Sequence, residues 1–298
     1  MYAVSPYRKG VRVNKDSDIK IYPDFLYHYT SLSSLALIIN NRTICFNNLL
    51  NVDDIEEAES SDMGLFGKYI NVSCWTDEEK ESIAMWSLYT PDMHGVRIKL
   101  PVFPFEKYHY SKGKYHLGED VDSYIDIAAL NSFGNGSITL DHPKLQQIQY
   151  VDDEKLICPA VRTRGSAETA RRFYSARTME AAVGAEVSYS FKELGVYKRS
   201  DWKFQKEWRY IIHASPMGLD EMYPLTFQKQ QELIRRIENV DQPAPFNRIL
   251  LKISDCAFKQ MEVLFGPKMT QQETILAVAL LEKHGLSHAW SESRLRIK

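Results

Sequence analysis

The sequence predicts an α+β chain with split mixed and antiparallel β-sheets and flanking helices, and three observations carry that expectation. Residues 26–46 read as strand, tight turn, helix and strand. Residues 95–100 and 207–212 alternate with the period of two that a strand imposes on its side chains. Amphipathic helical patterns fall late, over residues 228–240 and after Thr270. No Pro/Gly/Ser-rich linker interrupts the chain. The expectation is therefore one domain over residues 21–298, preceded by a loosely held arm at 1–20 and carrying an irregular insertion around 106–200.

Taken in order, Leu26 to Thr30 is rich in β-formers, and Leu26, His28 and Thr30 share one strand face while Tyr27 and Tyr29 share the other. Ser31 is a good N-cap for a helix that presents Leu32, Leu35, Ile38 and Ile39 on one side and stops at Asn40-Asn41. Residues 43–46 are extended again. Asn47 to Glu59 reads as a loop entering a short helix, with Asp53, Asp54, Glu56 and Glu57 near the N-terminus where the helix dipole favours them. A strand follows over 69–75, then a helix over 77–87 with Ile83, Met85 and Trp86 facing inward. Residues 131–137 form a loop, and 148–151 a strand. Arg162, Arg164, Arg171 and Arg172 accompany a helical stretch at 167–182, read as a solvated basic face in preference to a phosphate contact. On the strand at 207–212, Glu207, Arg209 and Ile211 lie on one face and Trp208, Tyr210 and Ile212 on the other. That is an acid and a base anchored by aromatics. Residues 249–253 and 263–265 are buried strands. Thr270 to Glu273 is a capping box, and Gly285 takes the C′ position of the last helix.

Composition narrows the function classes. Of 298 residues, 44% are hydrophobic and 26% charged, which is ordinary for a soluble globular protein. The net charge of −2 gives no global field toward nucleic acid or membrane. Cys45, Cys74, Cys158 and Cys256 form no Cys-x-x-Cys pair, which argues against a zinc site and a disulfide framework and suits a reducing, cytoplasmic setting. Residues 1–18 lack the apolar stretch of a signal peptide, and no apolar run approaches a membrane span. His284 and His288 are separated by Gly285 and do not share a rigid element, so no metal is expected. Walker A, Gly-x-Gly-x-x-Gly, Gly-x-Ser-x-Gly and His-Glu-x-x-His motifs do not occur.

A series of segments carries a family likeness. It runs Leu26-Tyr27-His28-Tyr29-Thr30-Ser31, Asn51-Val52-Asp53-Asp54, Val72-Ser73-Cys74-Trp75, Met85-Trp86-Ser87-Leu88-Tyr89, His94-Gly95-Val96, Trp202, Lys206-Glu207-Trp208-Arg209 and Gly266-Pro267-Lys268-Met269. In that order it resembles a widespread bacterial family of domains of unknown function. The likeness covers residue 25 onward and is weakest across 106–200; Asp54-Ile55-Glu56 departs from the Asp-Pro-Phe-Glu of many members. The His, middle-strand aromatic and late Glu are also distantly similar to the ADP-ribosyltransferase fold.

That second resemblance implies an NAD-dependent ADP-ribosyltransferase-like enzyme, a toxin or anti-phage effector modifying nucleic acid or protein, with an antitoxin or defence-system partner. NAD would be its substrate. His28 resembles the residue that holds an NAD ribose, and Glu207 the carboxylate at the reacting ribose; Trp86 or Tyr89 resembles the aromatic against nicotinamide. Arg42 and Arg209 are candidates for pyrophosphate, and Thr30 and Ser73 complete the cofactor-binding set. The chemistry suits these types: loss of nicotinamide leaves a cationic, oxocarbenium-like ribose, and a fixed carboxylate stabilises that charge as it grows. Two other readings stand beside it. One is a non-catalytic ligand-binding or sensor module of the same fold; the other is a metal-independent nuclease using His28, Glu207 and the Arg cluster.

Overall fold

The computed structural model describes residues 22–131, 136–138, 140, 142–163, 188–224 and 226–297. The expected arm, residues 132–135 of the expected loop, and the helix at 167–182 with Arg164, Arg171 and Arg172 lie outside the described residues. The chain is a mixed α+β fold. Its principal elements are β1 (Phe25–Ser31), α1 (Leu32–Asn41), β2 (Thr43–Asn48), β3 (Ile70–Thr76), α2 (Ile83–Tyr89) and β4 (Gly95–Pro101). Next come β5 (Lys144–Gln147), β6 (Gln149–Val151), β7 (Tyr197–Arg199), β8 (Glu207–Ser215) and α3 (Phe227–Glu238). The chain closes with β9 (Arg248–Lys252), β10 (Glu262–Phe265), α4 (Gln271–Lys283) and β11 (Trp290–Glu292). These elements divide into two compact units, one of residues 1–43, 75–106 and 252–298, the other of 44–74 and 107–251.

The first unit is built on β1. Its Ser31 caps α1 through a bond from the Ser34 amide at 3.1 Å, as the sequence led one to expect. Arg42 ends the helix in the left-handed region at φ 53°, with its amide bonded to Ile38 O. β1 runs antiparallel to β4, with Tyr27 opposite Lys99, His28 opposite Ile98 and Tyr29 opposite Arg97. β4 pairs antiparallel with β10, and β10 pairs parallel with β11. Alternation then sorts the side chains. Leu26, Thr30, Val96, Ile98, Val263 and Phe265 share one buried face, and Leu35 and Ile39 of α1 with Ala277 and Leu281 of α4 are buried in the same unit. Tyr27, Tyr29, Arg97, Lys99, Glu262 and Leu264 share the other face.

On that second face Tyr29 meets Trp86 edge-on at 4.8 Å between ring centroids, within a small cluster that includes Met85 and Leu295. α2 begins only at Ile83, capped by Ser82, and not at residue 77. Glu81 explains the delay. Its carboxylate accepts from Trp86 Nε1 at 3.1 Å, from Ser293 Oγ and from the Arg294 amide at 3.1 Å, so it pins the loop to the C-terminal segment. Ile83 is 54% exposed, contrary to the expected inward orientation, because the helix buries Met85 and Trp86 instead.

In the second unit β2 pairs antiparallel with β3, β8 with β5, and β6 runs parallel to β7. The core gathers Phe66, Tyr69, Ile70, Val72, Tyr189, Phe191, Ile211 and Ile237. Phe66 stacks on Phe191 at 5.1 Å and meets Tyr69 edge-on at 5.1 Å. β9 is half-buried and alternating, not fully buried: Ile249 and Leu251 point in, Leu250 out.

Gly266 is fixed by a close approach of backbones in the first unit. A Cβ there would meet Met93 O at 2.5 Å and Gly95 O at 2.8 Å. Replacement by Ala should force β4 and the segment after β10 apart and cost about 1–3 kcal/mol in urea unfolding. Thr270→Ala, which removes the cap of α4, should cost about 1 kcal/mol in the same measurement.

Candidate functional site

Two groups of polar side chains have the burial and charge to do chemistry. The first is in the second unit and centres on the Lys-Glu-Trp-Arg strand start. The chain leaves a 3-10 turn (Ser200–Gln205) through Lys206, held in the left-handed region at φ 44°, and β8 begins at Glu207. The latter half of the stretch at 201–212 is strand, as its pattern predicts, and the first half is this turn. Glu207 Oε1 accepts from Arg209 Nε at 2.5 Å, and Oε2 accepts from Lys198 Nζ at 3.0 Å. Arg209 Nη1 donates to Glu57 Oε2 and, at 3.1 Å, to Gly195 O. Lys198 Nζ lies 3.2 Å from Glu57 Oε1. Glu57, Arg209, Glu207 and Lys198 thus close a ring of alternating charge, with no side chain more than 5% exposed.

The surroundings complete it. Lys198 Nζ donates to Gln205 Oε1 at 2.8 Å and lies 4.8 Å from the Trp202 ring centre, and Tyr150 OH accepts from the Glu207 amide at 2.8 Å. Burial by itself pushes the Glu207 carboxyl up. The Arg209 guanidinium, the Lys198 ammonium and hydrogen bonds from Arg209 and Cys74 outweigh burial and hold it down to about 2. Burial and then the Glu207 charge push the Cys74 thiol up, so this cysteine is a poor nucleophile. Asp54 caps the 3-10 turn that carries Glu57 (Ile55–Ala58), accepting from the Glu56 amide at 3.2 Å. Glu56 pairs outward with Arg199 at 2.5 Å, while Glu57 points into the ring. The ring needs two residues the sequence reading did not place in a site, Glu57 and Lys198. They come from segments 150 and 9 residues from Glu207, and only their shared burial marks them.

The second group is in the first unit. Tyr27, Glu79, Arg97, Lys99, Glu262 and Ser291 line a cleft of about 100 Å³. Arg97, only 9% exposed, lies with its guanidinium 4.6 Å from the Tyr27 ring centre and donates from Nη1 to Glu79 O at 2.7 Å. Lys99 and Glu262, cross-strand partners, pair at 2.9 Å. Burial pushes the Tyr27 hydroxyl up and the Glu79 charge pushes it further, against Lys99 and Arg97. The alternation at 95–100 carries Arg97 and Lys99 on one face, but which strand faces them is decided by pairing alone.

The expected site residues do not assemble as one site in either unit. His28, Thr30, Arg42, Trp86 and Tyr89 belong to the first unit; Ser73, Glu207 and Arg209 belong to the second. His28 is partly exposed, and its ring neighbour is Trp75, at 5.1 Å and 38°. Trp86 and Tyr89 cluster with Tyr29, on the opposite face of β1 from His28. Trp86 is fully buried with its indole N–H on Glu81, so neither ring face is available to nicotinamide. Arg42 is committed to Asp255 at 2.7 Å and lies over the Phe258 ring at 4.5 Å. Thr30 and Ser73 are buried polar residues within their strands. Arg209 and Glu207 pair within the ring; Arg209 Nη2 has no hydrogen-bond partner, but the side chain is fully buried and presents no accessible edge to a pyrophosphate or a ribose.

Among the described residues no group of His, Cys, Asp and Glu is arranged to hold a metal ion, and no helix is long and apolar enough to cross a membrane. No family model, curated protein or solved structure matches the chain.

Arg209→Met leaves two carboxylates buried with one cation and should cost about 3–5 kcal/mol in urea unfolding. The exposed Arg235→Met should cost under about 0.5 kcal/mol. Acid should expose the same asymmetry. Glu207, depressed from 4.5 to about 2, contributes stability above pH 4.5 that is lost as pH falls toward 2. Burial, followed by Lys144, holds His213 down to about 4 from 6.5. Its unfolded form therefore binds the proton first, and stability begins to fall below pH 6.5. Equilibrium unfolding against pH should show a first loss between pH 6.5 and 4 that His213→Gln removes, and a second below 4.5 that it leaves in place.

Proposed function

We propose that this chain is a ligand-binding or sensor module of the ADP-ribosyltransferase-like class that does not turn NAD over. One observation carries this reading: both carboxylate oxygens of Glu207 are consumed by Arg209 and Lys198, in a side chain only 5% exposed. A transferase carboxylate must meet the ribose as its bond to nicotinamide stretches, and its benefit depends on being in place before charge develops. Drawing Glu207 out of the ring would strand Arg209 and Lys198 opposite Glu57 alone, and buried charges left without a partner cost several kcal/mol each. Glu207 accordingly serves as a positioning charge that holds β7, β8 and the turn carrying Glu57 together. His28 is partly exposed beside Trp75, and a partly exposed aromatic ring suits contact with a planar ligand and does not require catalysis.

The purified chain incubated with NAD, followed by chromatography of free nicotinamide, decides between binding and turnover. The expected result is no release above the rate of NAD alone, with Glu207→Gln lowering the melting temperature. Nicotinamide release by the native chain that a folded Glu207→Gln abolishes would overturn the reading. It would restore the transferase, with nucleic acid or protein as acceptor.

A further inference from the structure

The cleft on the Tyr27 face of β1 is unused by the ring chemistry and has its own charge logic. Four charged side chains line it: Glu79, Arg97, Lys99 and Glu262. Lys99 and Glu262 neutralise each other at 2.9 Å. Arg97 and Glu79 have no ion-pair partner among the described residues. The one bond between these two is from the guanidinium to the Glu79 main-chain carbonyl, so the Glu79 carboxylate is not spent on it. Arg97 is held nevertheless. It lies over the Tyr27 ring, 4.6 Å from the ring centre, and Nη1 is bonded to that carbonyl, which leaves its remaining N–H donors for the cleft it lines. A nine-tenths buried guanidinium oriented this way is preorganised for a planar carboxylate. The Glu79 carboxylate is close enough to act on the Tyr27 hydroxyl, raising it, while Arg97 lowers it, so both charges converge on this one side chain.

We propose that the cleft binds a small zwitterion of the α-amino-acid class, its carboxylate on the Arg97 guanidinium and its ammonium on the Glu79 carboxylate. A simple anion would satisfy Arg97 and face the Glu79 charge; a simple cation would do the reverse. Only a ligand carrying both charges a few bonds apart answers both groups. Volume agrees. About 100 Å³ is well under the roughly 300 Å³ at which pockets begin to enclose larger ligands. A dinucleotide does not fit inside it. Ser291 also lines it. The inference rests on the binding-module reading for its purpose, and the two fail separately: nicotinamide release would end that reading without touching this cleft.

Saturation-transfer NMR on the full chain tests it, with glycine, alanine and serine as probes and acetate and methylammonium as single-charge controls. The amino acids should give transfer and the two controls should not. Glu79→Gln, at an exposed position, should leave the melting temperature in place and weaken binding roughly ten- to a hundredfold. Arg97→Gln should weaken it at least as much, and Glu79→Gln keeps the test intact if the Arg97 variant does not fold. Acetate binding as tightly as glycine would overturn the proposal in favour of a plain anion site. Absence of transfer from all three amino acids in the folded chain, or unchanged binding in Glu79→Gln, would overturn it outright.

Discussion

The second unit depends on a closed ring of four charges, in which Glu57 and Glu207 alternate with Arg209 and Lys198. Each charge removed from water is costly by itself, and the cost is recovered only because every neighbour in the ring carries the opposite sign. The ring spans a turn at Glu57, the strand β7 and the strand β8, three segments with no local reason to meet. Such an arrangement contributes little net stability compared with an apolar replacement, but it penalises any other register severely. A slip of one residue in β8 would bring Trp208 to Lys198 and turn Glu207 to the other face.

This constraint also limits the chemistry. A carboxylate held at low pKa by two cations is permanently charged, which is one requirement for stabilising a developing cation. It is also fully bonded and buried, which denies the other requirement, access to the reacting atom. Glu207 therefore has the electrostatics of a catalytic residue and the position of a structural one.

The first unit shows the complementary case on β1. Its two faces do separate jobs, because strand alternation sends His28 one way and Tyr27 and Tyr29 the other. The residues beside His28 are apolar partners of a core and Trp75. The Tyr27 face gathers Arg97, Lys99 and Glu262 from β4 and β10, and among the described residues Arg97 has no ion-pair partner there. A buried cation that lines a cleft with no ion-pair partner among the described residues is what distinguishes this cleft from the ring, whose four charges are all paired.

Much of the local structure was legible in the sequence. The period of two at 26–30 and 207–212, the Ser31 and Thr270 caps and Gly285 at φ 77° all depend on neighbours within a few residues, and all three kinds of signal appear where the pattern put them. The start of α2 did not, because Glu81 is held by Trp86 and by Ser293, over 200 residues away. The gathering of His28, Trp86 and Glu207 into one site is likewise absent from either unit. Strand alternation by itself determined that Glu207 and Arg209 would share a face. Tertiary structure alone decided that Glu57 and Lys198 would close the ring around them and that Arg97 would lie over Tyr27. The physical reason is that pairing and burial of charge are set by strand register and long-range contacts, which no window of consecutive residues contains.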